Sequence, residues 1–244
     1  IDDANAGGGA PDTWLRAAEA HANSLYRRGE KDKALATLDK AEQFVSGRLI
    51  INQLRAKVEK GEKIAPFIGG TSDGASEVLL DLGSALNRGG GEPFVRLYLQ
   101  LALALRPASD AALLQLASYS EQQQDAETAI ALYNRIPADS PVYRAAELQL
   151  GLNLADLDRH EEAEKRLKKL VASDPGDVRA YLALGGIYAS QEKYAEAAKV
   201  YDDAVARIET DSGQKRTDGG QTSYWNIYYQ RGIAYERLKE WPKA

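Results

Sequence analysis

The chain has 244 residues, 44% of them hydrophobic and 27% charged, with a formal net charge of -5. That balance excludes disorder as the default, and an acidic sum without a dense Lys/Arg run excludes a nucleic-acid-binding face and disfavours anionic ligands and membrane surfaces. There is no cysteine, which excludes disulfides, thiolate metal sites and cysteine nucleophiles together, and no apolar run approaches the roughly 20 residues needed to span a bilayer.

Residues 1–13 carry Gly7, Gly8 and Gly9 with few apolar groups and are expected to form a flexible tail; an opening at Ile1 without the basic-then-apolar order of a signal peptide is expected of a processed form or an excised fragment. From Trp14 apolar residues recur at intervals of three and four, with little strand-like alternation, so the chain reads as all-α. Trp14 to Tyr26 and Asp32 to Phe44, joined by a turn at Arg28, Gly29 and Glu30, are predicted to form a helical hairpin with Ala22, Leu25, Ala34, Leu38 and Ala41 inward. Arg48 to Lys60 is a further predicted helix without a partner, because Gly61, Pro66, Gly69, Gly70 and Gly74 interrupt the chain after it. Residues 14–60 therefore read as one hairpin plus a degenerate second repeat, and 61–75 as an irregular linker in which Ile64, Phe67 and Ile68 are expected to plug the gap.

Over 76–209 the sequence counts in units of 34: Ala129, Ala163 and Ala197 share one column, and Pro107, Pro141 and Pro175 another. The repeat from Val178 carries Tyr181, Leu184, Gly185, Tyr188, Ala197, Tyr201 and Ala204; the repeat from Arg144 carries Leu150, Gly151, Leu154, Ala163 and Leu167, with Glu147 in a column otherwise large and apolar. The repeat from Asp110 supplies Leu113, Leu116, Ala117 and Tyr133, and the one from Ser76 supplies Leu79, Leu82, Gly83, Leu86, Leu99 and Ala102, with Val95 in the alanine column. Small residues in two columns let the helices of a hairpin approach closely, the large residues fill the space beside that contact, and the proline is expected to end the second helix. Residues 210–223, with Gly213, Gly219 and Gly220, read as an inserted loop; Tyr228, Gly232, Tyr235, Trp241 and Ala244 then resume the pattern as a truncated repeat over 224–244, which is expected to continue beyond the sequence.

Over residues 14 to 244 these columns resemble those of the tetratricopeptide repeat family. The resemblance implies an α-solenoid, a right-handed superhelix of helix-turn-helix hairpins. Its implied role is a protein-protein interaction scaffold or adaptor that binds a peptide or amphipathic helix in a concave groove, without enzymatic activity, cofactor or metal. A second reading is the non-catalytic targeting arm of a larger enzyme. In this family, repeat positions 2, 5, 9, 12 and 13 of the first helix line the groove. That implies Leu80, Leu114, Leu148, Leu182 and Tyr229 in one row and Ser84, Ser118, Leu152, Gly186 and Ile233 in the next, with Arg88, Gln122, Asp156 and Arg179 as polar orienting groups. The same leucines would equally serve helix-to-helix packing. The cationic and amide clamp by which one subclass holds chaperone tails is missing, since Glu77, Asp81, Gln115 and Gln149 stand in its positions. A further resemblance to exported bacterial repeat proteins implies the periplasm or cell envelope over the cytoplasm. The last helix, lacking its partner, is expected to expose Ile227, Ile233 and nearby aromatics and so to offer a homo-oligomer contact.

No constellation of catalytic residues emerges. His160-Glu161-Glu162 would need a second histidine where Glu164 stands to hold a metal, so His160 reads as a turn residue, and His21 is expected at an inward, packed position. The glycine clusters lack the Lys-Ser/Thr ending of a phosphate loop.

Overall fold

A computed structural model describes residues 11–45, 48–89, 92–211 and 224–244. The Gly7 to Gly9 run and nearly all of the expected 210–223 loop lie outside the described residues. Those described form twelve α-helices and no strand: α1 Pro11–Arg27, α2 Lys31–Phe44, α3 Leu49–Lys60, α4 Thr71–Gly89, α5 Glu92–Leu105, α6 Asp110–Gln122, α7 Ala126–Tyr133, α8 Tyr143–Asp156, α9 His160–Ser173, α10 Val178–Ser190, α11 Tyr194–Asp211 and α12 Trp225–Arg237. None is long and apolar enough to cross a membrane.

One turn recurs. Gly29, Gln124, Asp158, Glu192 and Lys239 have φ of 85°, 59°, 58°, 59° and 61°, each at the corner between two segments of a repeat. After each, the next N–H reaches back over the corner: Glu30 donates to Leu25 O at 3.0 Å, Asp125 to Ser120 at 2.9 Å, Arg159 to Leu154 at 2.8 Å, Lys193 to Tyr188 at 2.9 Å and Glu240 to Tyr235 at 3.0 Å. This is the bond that satisfies an orphan carbonyl at a helix end when the following residue turns left-handed. Only Gly29 reaches that conformation without a Cβ penalty.

The chain divides into two compact units, one through Pro107 and one from Ala108. In the first, α1 and α2 pack as a hairpin with α3 beside them, around Trp14, Leu15, Ala18, Ala22, Leu25, Ala34, Leu38, Ala41, Ile51, Leu54 and Val58. His21 falls just outside this stripe and is exposed rather than packed, because α1 turns Ala18, Ala22 and Leu25 inward instead. Of the expected plug, Ile64 packs on the core and Phe67 lies under the Arg16 guanidinium, 5.7 Å away, but Ile68 is 49% exposed. The second hairpin of this unit, α4 with α5, begins at Thr71 rather than Ser76, so Gly74 sits inside a helix. It is held to α1 by Glu77, a buried carboxylate paired with Arg16 and, at 3.1 Å, with Arg106.

In α4–α5 Gly83 and Leu99 make the expected close contact, yet Leu82 is 45% exposed and Leu79 and Leu86 are only half-buried.

The second unit carries the repeats from Asp110, Arg144 and Val178 and the helix α12. Ser109 and Asp125 cap α6 and α7 by accepting from Ala112 N at 3.4 Å and Thr128 N at 3.1 Å. The small columns are tight: a Cβ on Gly151 would lie 2.8 Å from Leu167, and one on Gly185 would overlap the Tyr201 ring. Glu147, the departure from its column, is buried, and its Oε1 accepts from Arg166 at 2.8 Å, so an ion pair fills the place of an apolar side chain. The expected role of Pro141 is corrected: α7 ends at Tyr133, well before it. Pro137 is responsible, since it supplies no N–H and disfavours a helical Ile136.

A candidate partner-binding groove

The first helices of the second-unit repeats, α6, α8 and α10, with α12 after them, carry most of the implied groove residues. α10 contacts both α8 and α12, and α6 is linked to α8 through Glu121 and Asn153. Leu114, Leu148 and Leu182 stand half-buried in α6, α8 and α10, while Leu152, Gly186, Gln122 and Asp156 are exposed and Ser118 is half-buried. Arg179 is exposed, but its guanidinium is tied to Asp177 at 3.1 and 3.3 Å, and Asp177 is also gripped by Arg144 at 3.1 Å. Burial pushes the Asp177 carboxyl up, but the hydrogen bonds from Arg179 and Arg144 outweigh it and hold the group below the usual carboxylate range. Arg179 is therefore an anchored orienting group rather than a free one.

In the first unit Leu80 is 2% exposed and packs in the interior, Ser84 is half-buried, and the Arg88 side chain lies outside the described residues. Leu80 turns inward because α4 carries its solvent-facing stripe on Val78 and Leu82 instead.

Among the described residues, two concavities of the second unit take in implied groove residues. One, of about 470 Å³, is formed by Glu121 and Gln124 at the end of α6, Ala126 at the start of α7, and Gln149, Leu152, Asn153, Asp156 and Leu157 of α8 and its end. It gathers two of the implied groove residues, Leu152 and Asp156, with five polar or charged groups in all. The other, of about 360 Å³, is lined by Tyr228, Tyr229, Gly232, Ile233, Glu236, Trp241 and Ala244. Leu114, Ser118, Gln122, Leu148, Arg179, Leu182 and Gly186 line neither.

Around the second concavity Trp225, Tyr228, Tyr229 and Trp241 are exposed, and the rings of Trp225 and Tyr229 lie 6.0 Å apart. Ile227 was expected among the exposed groups and is instead fully buried, because it faces inward where α12 packs on α11; Ile233 is half-buried. Asp202 of α11 clamps that packing, accepting from Arg231 Nε and the Tyr235 hydroxyl, each at 2.5 Å.

Glu121 and Asn153 were not among the residues singled out from the sequence. Glu121 occupies repeat position 12, which the groove rule includes, so the rule had the signal; Asn153 lies one position beyond Leu152 and gives none. Among the described residues no group of His, Asp and Glu is arranged to hold a metal, and His160 is the half-buried first residue of α9.

Residues 148–212 match the sequence profile of the tetratricopeptide repeat family. A search of curated proteins finds no match. Among solved structures, the chain is similar to a tetratricopeptide repeat protein from Parabacteroides merdae ATCC 43184, with 18% identity and a TM-score of 0.54 over 93% of this chain and 75% of that one. It is also similar to MamA, with 22% identity and a TM-score of 0.51 over 79% and 96% of the two chains. A third similarity is to a chain of the APC/C hetero-tetramer Cut9-Hcn1, with 18% identity and a TM-score of 0.55 over 90% and 42%. At these identities the likeness is one of fold, and it is the fold that the 34-residue columns require. Residues 148–212 thus carry the tetratricopeptide repeat profile, and the described helices have the helical-hairpin fold of tetratricopeptide repeat structures.

Proposed function

We propose that this chain is a protein-binding scaffold whose second unit holds a peptide or amphipathic helix of a partner along α6, α8 and α10. The observation that carries this reading is the row Leu114, Leu148 and Leu182 with Leu152 beside it. Leu114, Leu148 and Leu182 recur at one register, and all four leucines keep part of their apolar surface in water, although the core of the same unit is closely packed. Apolar surface that recurs in register and stays uncovered is what an apolar peptide can dehydrate. The polar groups beside it, Gln122, Asp156 and the anchored Arg179, would set the orientation of such a ligand.

Affinity capture with the chain and with its Leu114→Glu/Leu148→Glu variant tests this. Partners should be lost from the variant while its circular dichroism stays helical. An unchanged captured set would mean that the leucines serve packing alone.

A further inference from the structure

Within that reading, we propose that the concavity between the α6–α7 corner and α8 is a subsite for a basic side chain of the bound peptide, arginine before lysine. Its position supports this: Leu152 and Asp156 belong both to the groove and to the concavity, so a peptide following the groove passes its mouth. Its chemistry supports it as well. Leu152 and Ala126 give an apolar wall for an aliphatic stem, and Glu121 and Asp156 supply two carboxylates.

The charge balance of these two carboxylates is the main argument. Glu121 is held by neutral donors, the Asn153 amide and the Tyr133 hydroxyl, and among the described residues no cation pairs with it. The Asn153 amide also donates to Gln149 O at 2.8 Å, which fixes its orientation and with it that of Glu121. Asp156 meets no ion-pair partner among the described residues. Arg159, which follows soon after in sequence, is committed to Glu162 at 2.8 Å and Glu127 at 3.8 Å. Among the described residues the cavity thus presents negative charge with no cation paired to it, and a fixed amide holds Glu121 in place. A guanidinium can donate to several acceptors at once in a planar fork, whereas an ammonium cannot, hence the preference for arginine. An acidic or phosphorylated peptide would meet repulsion here.

The test uses the full chain and two fluorescein-labelled capped peptides, acetyl-Ala-Leu-Arg-Leu-Ala-amide and the same peptide with citrulline, the neutral isostere, in place of arginine. In fluorescence anisotropy the arginine peptide should bind about 10-fold more tightly, and less so at high salt, because a charge pair in a partly enclosed site is at stake. Asp156→Asn, an exposed change that leaves the fold intact, should cut that ratio several-fold. Glu121→Gln/Asp156→Asn, which keeps an acceptor for Asn153 and Tyr133, should abolish it. Equal affinities for the two peptides, a ratio unchanged in both variants, or no saturable binding of the arginine peptide at millimolar concentration overturns the subsite. Failure of the groove reading looks different: Leu114→Glu/Leu148→Glu would then leave the affinity of both peptides unchanged.

Discussion

Gly185 of α10 lies against the ring of Tyr201 of α11 so closely that a single methyl group on Gly185 would overlap the ring. The contact joins two columns of the repeat pattern, and it shows what the small residue is for: it sets the distance between the two helices of a hairpin. Gly186, the next residue, sits in the same helix with open space around its would-be Cβ.

These neighbours give opposite expectations for one substitution. Gly185→Ala forces the Tyr201 ring to move and should cost about 1–3 kcal/mol. Gly186→Ala removes a flexible residue from a helix interior without a clash and should stabilise by about 0.5–1 kcal/mol. Thermal melts of both variants check the pair. Equal shifts would show that the register of this hairpin is wrong.

The carboxyl of Glu19 in α1 is pushed up from 4.5 to about 7, mainly by burial; Arg16 opposes this, Glu77 adds to it and Arg106 opposes it. The folded chain therefore holds this proton more tightly than the unfolded chain does. The sign follows: stability should be greatest with Glu19 protonated, fall as pH rises from about 4.5 to 7, and level off above that. Glu19→Gln keeps a neutral side chain at every pH, so the variant should gain on the parent by about 2–3 kcal/mol across that window. Urea unfolding of the first unit, read through Trp14 with Trp225 and Trp241 replaced by Phe, measures it. Parallel stability curves for the two proteins would refute the assignment.

Glu192 turns the corner between α10 and α11 with φ at 59°, a conformation in which a Cβ is crowded by the neighbouring carbonyl. Glu192→Gly relieves that crowding while freeing the unfolded chain, and the net gain should be a few tenths of a kcal/mol to about 1. Glu192→Val, bulkier at Cβ, should lose more than 1 kcal/mol by the same reasoning. Chemical denaturation of the two variants ranks them, and the reverse order would mean that the corner relaxes away from the left-handed region.

Much of the fold is legible in the sequence because the features that carry it are local. The 34-residue columns mark where a small residue must face a large one, and Ala163, Gly151, Gly185 and Tyr201 stand in the structure where those columns put them. Breaks are less legible. Pro137 shortens α7, although the repeating column pointed to Pro141, since a proline acts on its own neighbours whatever the period says. The corners too were hidden: Gln124, Asp158, Glu192 and Lys239 share the conformation of Gly29, but only a glycine announces a left-handed turn in advance.

What the sequence determined by itself is the repeating hairpin, because helical period, small-residue spacing and turn position depend on residues within one repeat. The tertiary structure decided which surfaces are covered. Leu80 is buried and Leu82 exposed although the groove rule and the packing columns implied the reverse; Glu147 is tolerated inside because Arg166 reaches it from α9; and Glu121 becomes one wall of a cavity because Asn153 of another repeat holds it there. Burial and charge compensation are properties of what lies next to a side chain. In a repeat protein that neighbour comes from a different repeat, so no single repeat's sequence contains the answer.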